Sequence, residues 1–456
     1  MAGISLPLRS LLGSRSFVAQ AAGYAYAGLA MAGPWLLTSL HMQILGRLDL
    51  PGVAAADLQS FQAVVLYAYC ASMLLTGVLQ LAVARHLSDR LFIRDTSAVV
   101  PAYAAAAILS LMLHAAVGLF ALAWLRPPLP VAVAELGLFV LVGLVSTGMI
   151  FLGVLRNFTV ILAAFLAGTA SALALSQVLG PRFGLAGLIG GFAAGHALIA
   201  VVFGARLRAE FPARQPWTFG LLATAARHPA LPVIGLATAA SIWIDKILFW
   251  VGPWGLRTES GLRICPVYDN GFFFASFTIL PALVILFIRL EGSFHDRYKQ
   301  FYDALRQGAD LEAIRRARAG IVESFGTTLL RVAVIQGLVT LAAILAAPAL
   351  IEQFRLDWLS FYVFRASCLG AYVQMLALAV LLSAIHLALY RVAVVVSLAS
   401  LLAGTAGAAA TILIGPEWLG FGTVASGAIG LVVGYPWVRS VLAGLERHTF
   451  MGQVGS

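Results

Sequence analysis

Long apolar runs alternate with short polar stretches along almost the whole chain. Because roughly 20 mainly apolar residues are needed to cross a membrane as a helix, windows bounded by charge, proline and glycine predict membrane-spanning helices. Twelve are predicted, at 17–40, 61–84, 98–125, 131–155, 158–179, 184–205, 229–251, 271–290, 326–348, 359–389, 392–414 and 418–442. The pattern therefore predicts an all-α polytopic membrane protein.

A polar connector divides the twelve predicted helices into six and six. This division suggests two six-helix lobes related by a pseudo-twofold axis, an arrangement in which transporters commonly place substrate between repeats. No repeat in the sequence proves the symmetry. The predicted order is an N-terminal segment (1–16), an N-terminal lobe (17–205), a connector (206–228), a C-terminal lobe (229–442) that includes an excursion (291–325), and a tail (443–456).

Composition supports a membrane location. Of 456 residues, 61% are hydrophobic and only 11% charged, against about 25% charged residues in soluble domains. The net charge of +10 points to cytoplasmic loops in a chain of this kind and not to nucleic acid. With the N-terminus placed inside, 20 basic residues fall in inner loops and 6 in outer loops, which predicts that both termini are cytoplasmic.

Several kinds of chemistry are excluded by missing motifs. The sequence has no phosphate-gripping G-x-x-x-x-G-K-[ST] loop, no H-E-x-x-H, no G-x-S-x-G and no paired cysteines. We therefore expect no catalytic residues, no cofactor and no metal. The glycine-rich stretch 184–195 lies within an apolar helix, where small residues allow close helix packing.

Two charges in an apolar segment need an explanation. Asp245 and Lys246 are adjacent in the seventh predicted helix, and neighbouring helical residues point about 100° apart, so each needs its own partner. Asp245 lies six residues before the outer end of that helix, and Arg365 lies six residues into the tenth. We predict that Asp245 and Arg365 pair inside the second lobe. The alternative is a purely structural pair, with Lys246 extending towards an interface.

Other polar and aromatic residues in the predicted helices have two interpretations each. Glu135 and Arg331 are either interior charges or interfacial anchors. The histidines His114 and His196 either relay protons or are hydrogen-bonded packing elements. Aromatic side chains could stack on sugar rings or belong to interfacial belts and cores. The candidates for a substrate path are Asp245, Lys246, Arg365, Tyr67, Trp243 and Phe273.

The excursion at 291–325 is the longest predicted cytoplasmic segment. Its apolar residues fall at helical spacing on one face, and Gly308 followed by Asp310 predicts a break and a new helix N-cap. The segment could lie at the membrane surface, dock a cytosolic partner, or serve only as a connector. The partner-docking candidates are Tyr298, Tyr302, Arg315, Arg316 and Arg318.

Four segments carry a resemblance to a known family. They are MAGISLPLRSLL at the N-terminus, GPWLL at 33–37, SIWIDKILFW at 241–250 and CPVYDNGFFFASFTILPALVILFIRLEGSFHDRYKQFYDAL at 265–305. The chain resembles the PelG family of Pel exopolysaccharide exporters over essentially its whole length. The resemblance implies a twelve-helix, multi-pass protein of the inner membrane of a Gram-negative bacterium, related to the polysaccharide flippases of the multidrug/oligosaccharidyl-lipid/polysaccharide export superfamily.

The same resemblance implies a function in biofilm matrix formation. It implies a complex with a cytosolic glycosyltransferase, a small membrane scaffold subunit and a cyclic-di-GMP-binding regulatory subunit. The transported polymer would be rich in N-acetylhexosamine and neutral before deacetylation in the periplasm. The resemblance carries no catalytic residues onto this sequence.

Four functional hypotheses follow. The first is an exporter of growing polysaccharide without covalent chemistry of its own. The second is an ion-coupled antiporter or flippase of lipid-linked oligosaccharide or small molecules, with Asp245 as the coupling carboxylate. The third, a membrane-embedded glycosyltransferase, would need a sizeable soluble site, and only short loops are present. The fourth is a scaffold whose excursion holds the glycosyltransferase at the membrane.

Overall fold

The computed structural model describes residues 16–48, 50–211 and 217–447. The chain is almost entirely helical over these ranges. The helices are α1 (Phe17–Leu45), α2 (Ala55–Phe92), α3 (Val99–Leu125), α4 (Leu129–Val154), α5 (Phe158–Glu210), α6 (Gly220–Arg227), α7 (Ala230–Val251), α8 (Pro266–Ser276), α9 (Leu280–Arg289), α10 (His295–Arg306), α11 (Leu311–Gln353), α12 (Leu359–His386), α13 (Tyr390–Ile414) and α14 (Phe421–Ala443).

Short elements join some of these helices. Three-residue 3-10 turns are at Thr96–Ala98, Phe277–Ile279 and Pro416–Trp418, and a π-helical turn lies at Leu290–Phe294. The strands β1 (Leu256–Arg257) and β2 (Arg263–Ile264) form a small antiparallel hairpin. Leu256 pairs with Ile264 and Arg257 with Arg263 in this hairpin.

The polytopic helical fold predicted from the apolar runs is confirmed. Within the described ranges, ten helical stretches are long and apolar enough to cross a membrane. One of them, α5, contains two predicted helices that meet at a kink at Gly184. The first predicted helix corresponds to α1, which is not among the ten. These two differences account for ten candidate spans where the sequence predicts twelve.

Glycines bring the two halves of α5 together. Gly184 has a φ of +56°, a value that favours glycine because it lacks a Cβ. Beyond the kink, Gly187, Gly191 and Gly195 recur every four residues, and a Cβ on any of them would collide with backbone atoms of the first half. The glycine-rich stretch is therefore a packing surface, as its spacing predicts.

The excursion at 291–325 continues the neighbouring spans as helix. The stretch Pro266–Arg306 runs through α8, α9, the π-helical turn and α10, and α11 alone has 43 residues. At 1.5 Å per residue α11 is about 65 Å long, roughly twice the hydrocarbon thickness. The predicted break is confirmed: Gly308 has a φ of +64°, and the Asp310 carboxylate accepts a hydrogen bond from the Ala313 N–H at 2.7 Å.

The described chain forms two compact units. Within the described ranges, the C-terminal unit comprises 16–31, 244–254 and 265–447, and the N-terminal unit comprises the described residues of 32–243 together with 255–264. The division differs from the predicted lobes because α1 and α7 each contribute residues to both units. The β-hairpin belongs to the N-terminal unit, whereas the residues on either side of it belong to the C-terminal unit.

Each unit has an apolar interior of its own. In the N-terminal unit, one cluster joins α2 to α5 around Phe151 and Phe203, and a second gathers around Phe61 and Phe192. In the C-terminal unit, the inner face of α12 packs against α8, α11 and α14, with Phe364 and Cys368 in the core.

Candidate functional site

A buried ion pair lies in the C-terminal unit. Lys246, on α7, places its Nζ 3.3 Å from Oδ1 of Asp269, on α8. Both side chains are mostly shielded, with exposed fractions of 8% and 16%. Neighbouring Asp245 points elsewhere, so Lys246 finds a partner of its own, as helix geometry requires. The pair removes the cost of one uncompensated charge inside a membrane helix bundle.

Asp269 also organises the start of α8. Its two oxygens accept hydrogen bonds from the indole N–H of Trp250, at 3.2 and 3.0 Å, and Oδ2 accepts one from the backbone N–H of Cys265 at 3.0 Å. Pro266 follows at the first helical position, where its missing N–H costs nothing. One carboxylate thus satisfies a cation, an indole and a helix terminus.

Aromatic rings surround the cation. Lys246 Nζ lies 4.6 Å from the centroid of the Phe272 ring and 5.9 Å from that of Tyr268. Tyr268 stacks on Phe272 at 5.6 Å and meets Phe249 edge-on at 4.6 Å. Ring faces attract cations, so this wall stabilises the ammonium in addition to Asp269. We call Lys246, Trp250, Tyr268, Asp269 and Phe272 the Lys246 cluster.

The prediction that Asp245 pairs with Arg365 is wrong. Asp245 is only 1% exposed, and neither carboxylate oxygen has a hydrogen-bond partner among the described residues. The carboxylate packs against the backbone of α14 at Gly422. The Thr423 N–H is close to it there but is not in position for a hydrogen bond. The rotation of α7 explains the error, because it turns Asp245 towards α13 and α14.

Arg365 and Phe273, the remaining substrate-path candidates of the C-terminal unit, make contacts of their own. The Arg365 side chain is exposed, and its guanidinium lies 5.1 Å from the Phe361 ring, one helical turn earlier. Phe273 is half-buried and meets Phe274 and Phe277 edge-on, at 5.3 and 5.0 Å. Each residue thus makes these contacts with near neighbours in its own helical stretch.

Two candidates belong to the N-terminal unit and make specific contacts there. The Tyr67 hydroxyl, on α2, donates to the backbone carbonyl of Arg263 in the β-hairpin at 2.8 Å. The Trp243 indole N–H donates to Sδ of Met73 at 3.1 Å. Glu135, which is predicted to be an interior charge or an interfacial anchor, is half-buried on α4 in the same unit. Tyr67 thus anchors the hairpin, a contact that the sequence pattern does not indicate.

The mid-helix histidines are held by hydrogen bonds. His114 Nδ1 donates to the Ser110 carbonyl at 2.7 Å, and its Nε2 lies 3.0 Å from the Ser72 hydroxyl. His196 Nδ1 donates to the Phe192 carbonyl at 3.0 Å, and its Nε2 lies 2.7 Å from the Tyr69 hydroxyl. A carbonyl can only accept, so each ring carries its proton on Nδ1. These contacts favour the packing interpretation.

The docking candidates of the excursion divide into two groups. Arg315 and Arg316 are exposed on the first turns of α11, and the Tyr298 and Tyr302 rings contact each other at a tilt of 47°, with centroids 4.6 Å apart. Arg318 instead donates to the Ala443 carbonyl at 2.8 Å and to Glu446 at 2.9 Å. Arg318 therefore caps the end of α14.

The sequence interpretation missed the residues that complete the Lys246 cluster. Asp269, Trp250 and Tyr268 were not among its candidates, although Asp269 lies in the quoted CPVYDN segment. The predicted eighth helix starts at residue 271, whereas α8 starts at Pro266. A proline followed within three residues by an acid was the available signal, because this pattern is typical of a helix start.

The Lys246 cluster is suited to packing and charge compensation. Within the described ranges, no three His, Cys, Asp or Glu side chains come together as a metal site would need. The Lys246 cluster compensates its own charge, while Asp245 remains a buried carboxylate without a hydrogen-bond partner. Burial also raises the pKa of the Cys265 thiol, just ahead of α8, to about 11.

Solved structures show which fold the two units build. A multidrug resistance MATE family transporter of the MOP superfamily, in an outward-facing conformation, has a TM-score of 0.68 at 12% identity and covers 97% of this chain and 99% of its own. A MATE structure in the straight conformation gives 0.65 at 12% identity, covering 97% and 100%. A MOP superfamily transporter from Pyrococcus furiosus gives 0.62 at 12% identity, covering 96% and 99%.

Sequence comparison identifies the family. No protein of curated function matches the sequence. The PelG exopolysaccharide exporter (EPS-E) family matches residues 1–450, which is nearly the entire chain. The resemblance carried by the quoted segments is therefore confirmed, on a MATE-like transporter fold with about ten described candidate spans. The chain is a multi-pass membrane protein that belongs to the PelG exopolysaccharide exporter family.

Proposed function

We propose that this protein translocates a growing, neutral, N-acetylhexosamine-rich exopolysaccharide across the bacterial inner membrane to the periplasm. The observation that carries the proposal is the match to an exporter family over residues 1–450, together with a transporter fold. A cytosolic glycosyltransferase would supply the polymer. A membrane scaffold subunit and a cyclic-di-GMP-binding subunit would complete the complex, with both termini of this chain in the cytoplasm.

The compensated charge at Lys246 supports a neutral substrate. A carrier of lipid pyrophosphate needs uncompensated cations along its path, because opposite charge is what holds such a substrate in a membrane. Lys246 is instead paired with Asp269 and covered by aromatic rings. Sugar polymers are held by hydrogen bonds and ring faces and need no uncompensated cation.

Inside-out vesicles test the proposal. Vesicles containing the protein and the glycosyltransferase would be fed labelled UDP-N-acetylhexosamine and then treated with external glycosidase. Polymer protected until detergent is added, and digestible when this protein is omitted, is the expected result. Polymer equally digestible with and without the protein would contradict export and leave anchoring of the glycosyltransferase as its role.

One observation favours a second candidate, ion-coupled transport. Asp245 is a buried carboxylate without a hydrogen-bond partner in the described structure, and such groups in membrane helices commonly carry ions or protons. In the vesicle assay, Asp245→Asn should abolish protection if its protonation drives turnover. A polymer pushed by its synthase should tolerate the change. Asp89→Asn, on an exposed side chain of α2, is the matched control.

A further inference from the structure

Two arginines of the C-terminal unit lie near each other. Arg289 is the last residue of α9, and Arg331 lies in the first part of the apolar run of α11. Their charges act on each other, and the Tyr24 phenol of α1 is also within electrostatic range of Arg289. No salt bridge between described side chains involves either arginine, and the side chain of Glu291, two residues after Arg289, lies outside those described. Two positive charges therefore lie near each other, and no described acidic side chain compensates them.

Threonine hydroxyls fix the orientation of Arg289. Its Nη2 donates to Thr327 at 2.7 Å and its Nε to Thr328 at 3.4 Å. Both hydroxyls in turn donate to the carbonyl of Ser324, so their own hydrogens are already used. A guanidinium carries five N–H donors. Three donors of this half-buried group therefore have no acceptor among the described side chains and backbone groups.

Arg331 lies on the same face as these threonines. It follows Thr327 by four residues and Thr328 by three, and such positions are neighbours on a helix surface. Its side chain is exposed. The α1 segment that carries Tyr24 is fixed nearby, because Ala27 packs against Val284, Phe287 and Ile288 at the end of α9. Tyr24 itself is 47% exposed.

The three residues lie where apolar spans give way to polar helix. The apolar run of α9 ends at Arg289, and the polar part of α11 gives way to its apolar run around Arg331. That boundary is the level of lipid headgroups. Guanidinium groups bind phosphate with several charge-assisted hydrogen bonds, and basic pockets between membrane helices bind phosphorylated headgroups.

We propose that Arg289, Arg331 and Tyr24 form a binding site for the phosphate group of a membrane lipid. The phosphate accepts the free N–H donors of Arg289 and those of Arg331, and its charge relieves their repulsion. Tyr24 donates its hydroxyl to the same group. The site is independent of what the protein transports, since it requires only a phosphate at the membrane boundary.

A lipid-binding assay tests the site. Purified, delipidated protein in detergent would be given phosphatidylglycerol, diacylglycerol, which lacks phosphate, or inorganic phosphate. Retained lipid would be counted by native mass spectrometry and stability followed by thermal unfolding. We expect phosphatidylglycerol to be retained and to raise the unfolding midpoint, and diacylglycerol to do neither. The Arg289→Gln, Arg331→Gln variant should bind phosphatidylglycerol at least tenfold more weakly.

Matched variants separate binding from folding. Arg316→Gln removes an exposed arginine of the same helix and should bind like the wild type. Arg331→Gln alone changes an exposed side chain, so it decides the question if the double variant fails to fold. If inorganic phosphate competes with phosphatidylglycerol, a free phosphate is enough to occupy the site. If it does not compete, the site requires the lipid, and both results support the site. Unchanged phosphatidylglycerol binding in folded Arg331→Gln, or equal binding of diacylglycerol, would overturn it.

Discussion

Lys246 of α7 and Asp269 of α8 form a buried ion pair, with Nζ and Oδ1 3.3 Å apart. The pair joins two helices that the β-hairpin separates in the chain. Asp269 holds Trp250 and the start of α8 at the same time, so its loss would remove one acceptor from a cation, an indole and a backbone N–H together. Removing one member of a buried pair commonly costs 3–5 kcal/mol.

We therefore expect Asp269→Ala to be among the most destabilising single changes in the C-terminal unit. Adding Lys246→Met to it should restore part of the stability, because the buried charge disappears. Thermal unfolding of the purified single and double variants measures this. Additive losses would show that the two side chains act independently.

Gly422 and Asp245 are in close contact, and this contact predicts a steric effect. A Cβ at Gly422 would lie 2.5 Å from Oδ1 of Asp245 and 2.8 Å from the backbone nitrogen of Ala408. Gly422→Ala should therefore destabilise by about 1–3 kcal/mol. Gly326→Ala, where nothing lies within 4 Å, should be neutral or slightly stabilising. Equal unfolding midpoints for the two variants would contradict the packing.

Tyr67 anchors the β-hairpin through the Arg263 carbonyl. Tyr67→Phe removes that hydrogen bond, worth about 1 kcal/mol, so amide hydrogen exchange across 255–264 should become faster. Tyr69→Phe is the control, since Tyr69 contacts His196 and Thr38 and not the hairpin. Unchanged exchange in Tyr67→Phe would mean that other contacts hold the hairpin.

Asp310 caps the N-terminus of α11 by accepting from the Ala313 N–H. Asp310→Ala should cost about 0.5–2 kcal/mol, and Asp310→Asn, which keeps an acceptor oxygen, much less. Hydrogen exchange at residues 311–314 reports the local effect. If both variants exchange alike, the cap contributes little to this helix.

Cys265 predicts a pH-dependent reactivity. Burial raises its thiol pKa from 9.0 to about 11, and only the thiolate is nucleophilic. At pH 8 the folded protein should carry about a hundredfold less thiolate there than the unfolded chain. In a Cys70→Ala, Cys368→Ala background, maleimide labelling should be slow until denaturation and should accelerate as pH rises towards 11. Rapid labelling of folded protein at pH 8 would show that the thiol is accessible.

Local features of the fold could be predicted because each depends on one stretch of chain. The apolar runs predicted the helices, and Asp310 after Gly308 predicted the start of α11. The glycines at 187, 191 and 195 predicted a helix-packing face. The kink at Gly184 separates the two helices predicted at 158–179 and 184–205, and these glycines pack one of them against the other.

The partners of the buried charges could not be predicted in the same way. The sequence alone determined that Asp245 and Lys246 point in different directions and need separate partners, since this follows from helix geometry. Only the tertiary structure decided that Lys246 meets Asp269 and that Asp245 faces Gly422 instead of Arg365. The physical reason is that a partner depends on how whole helices are rotated and shifted against each other, which many distant apolar contacts fix together.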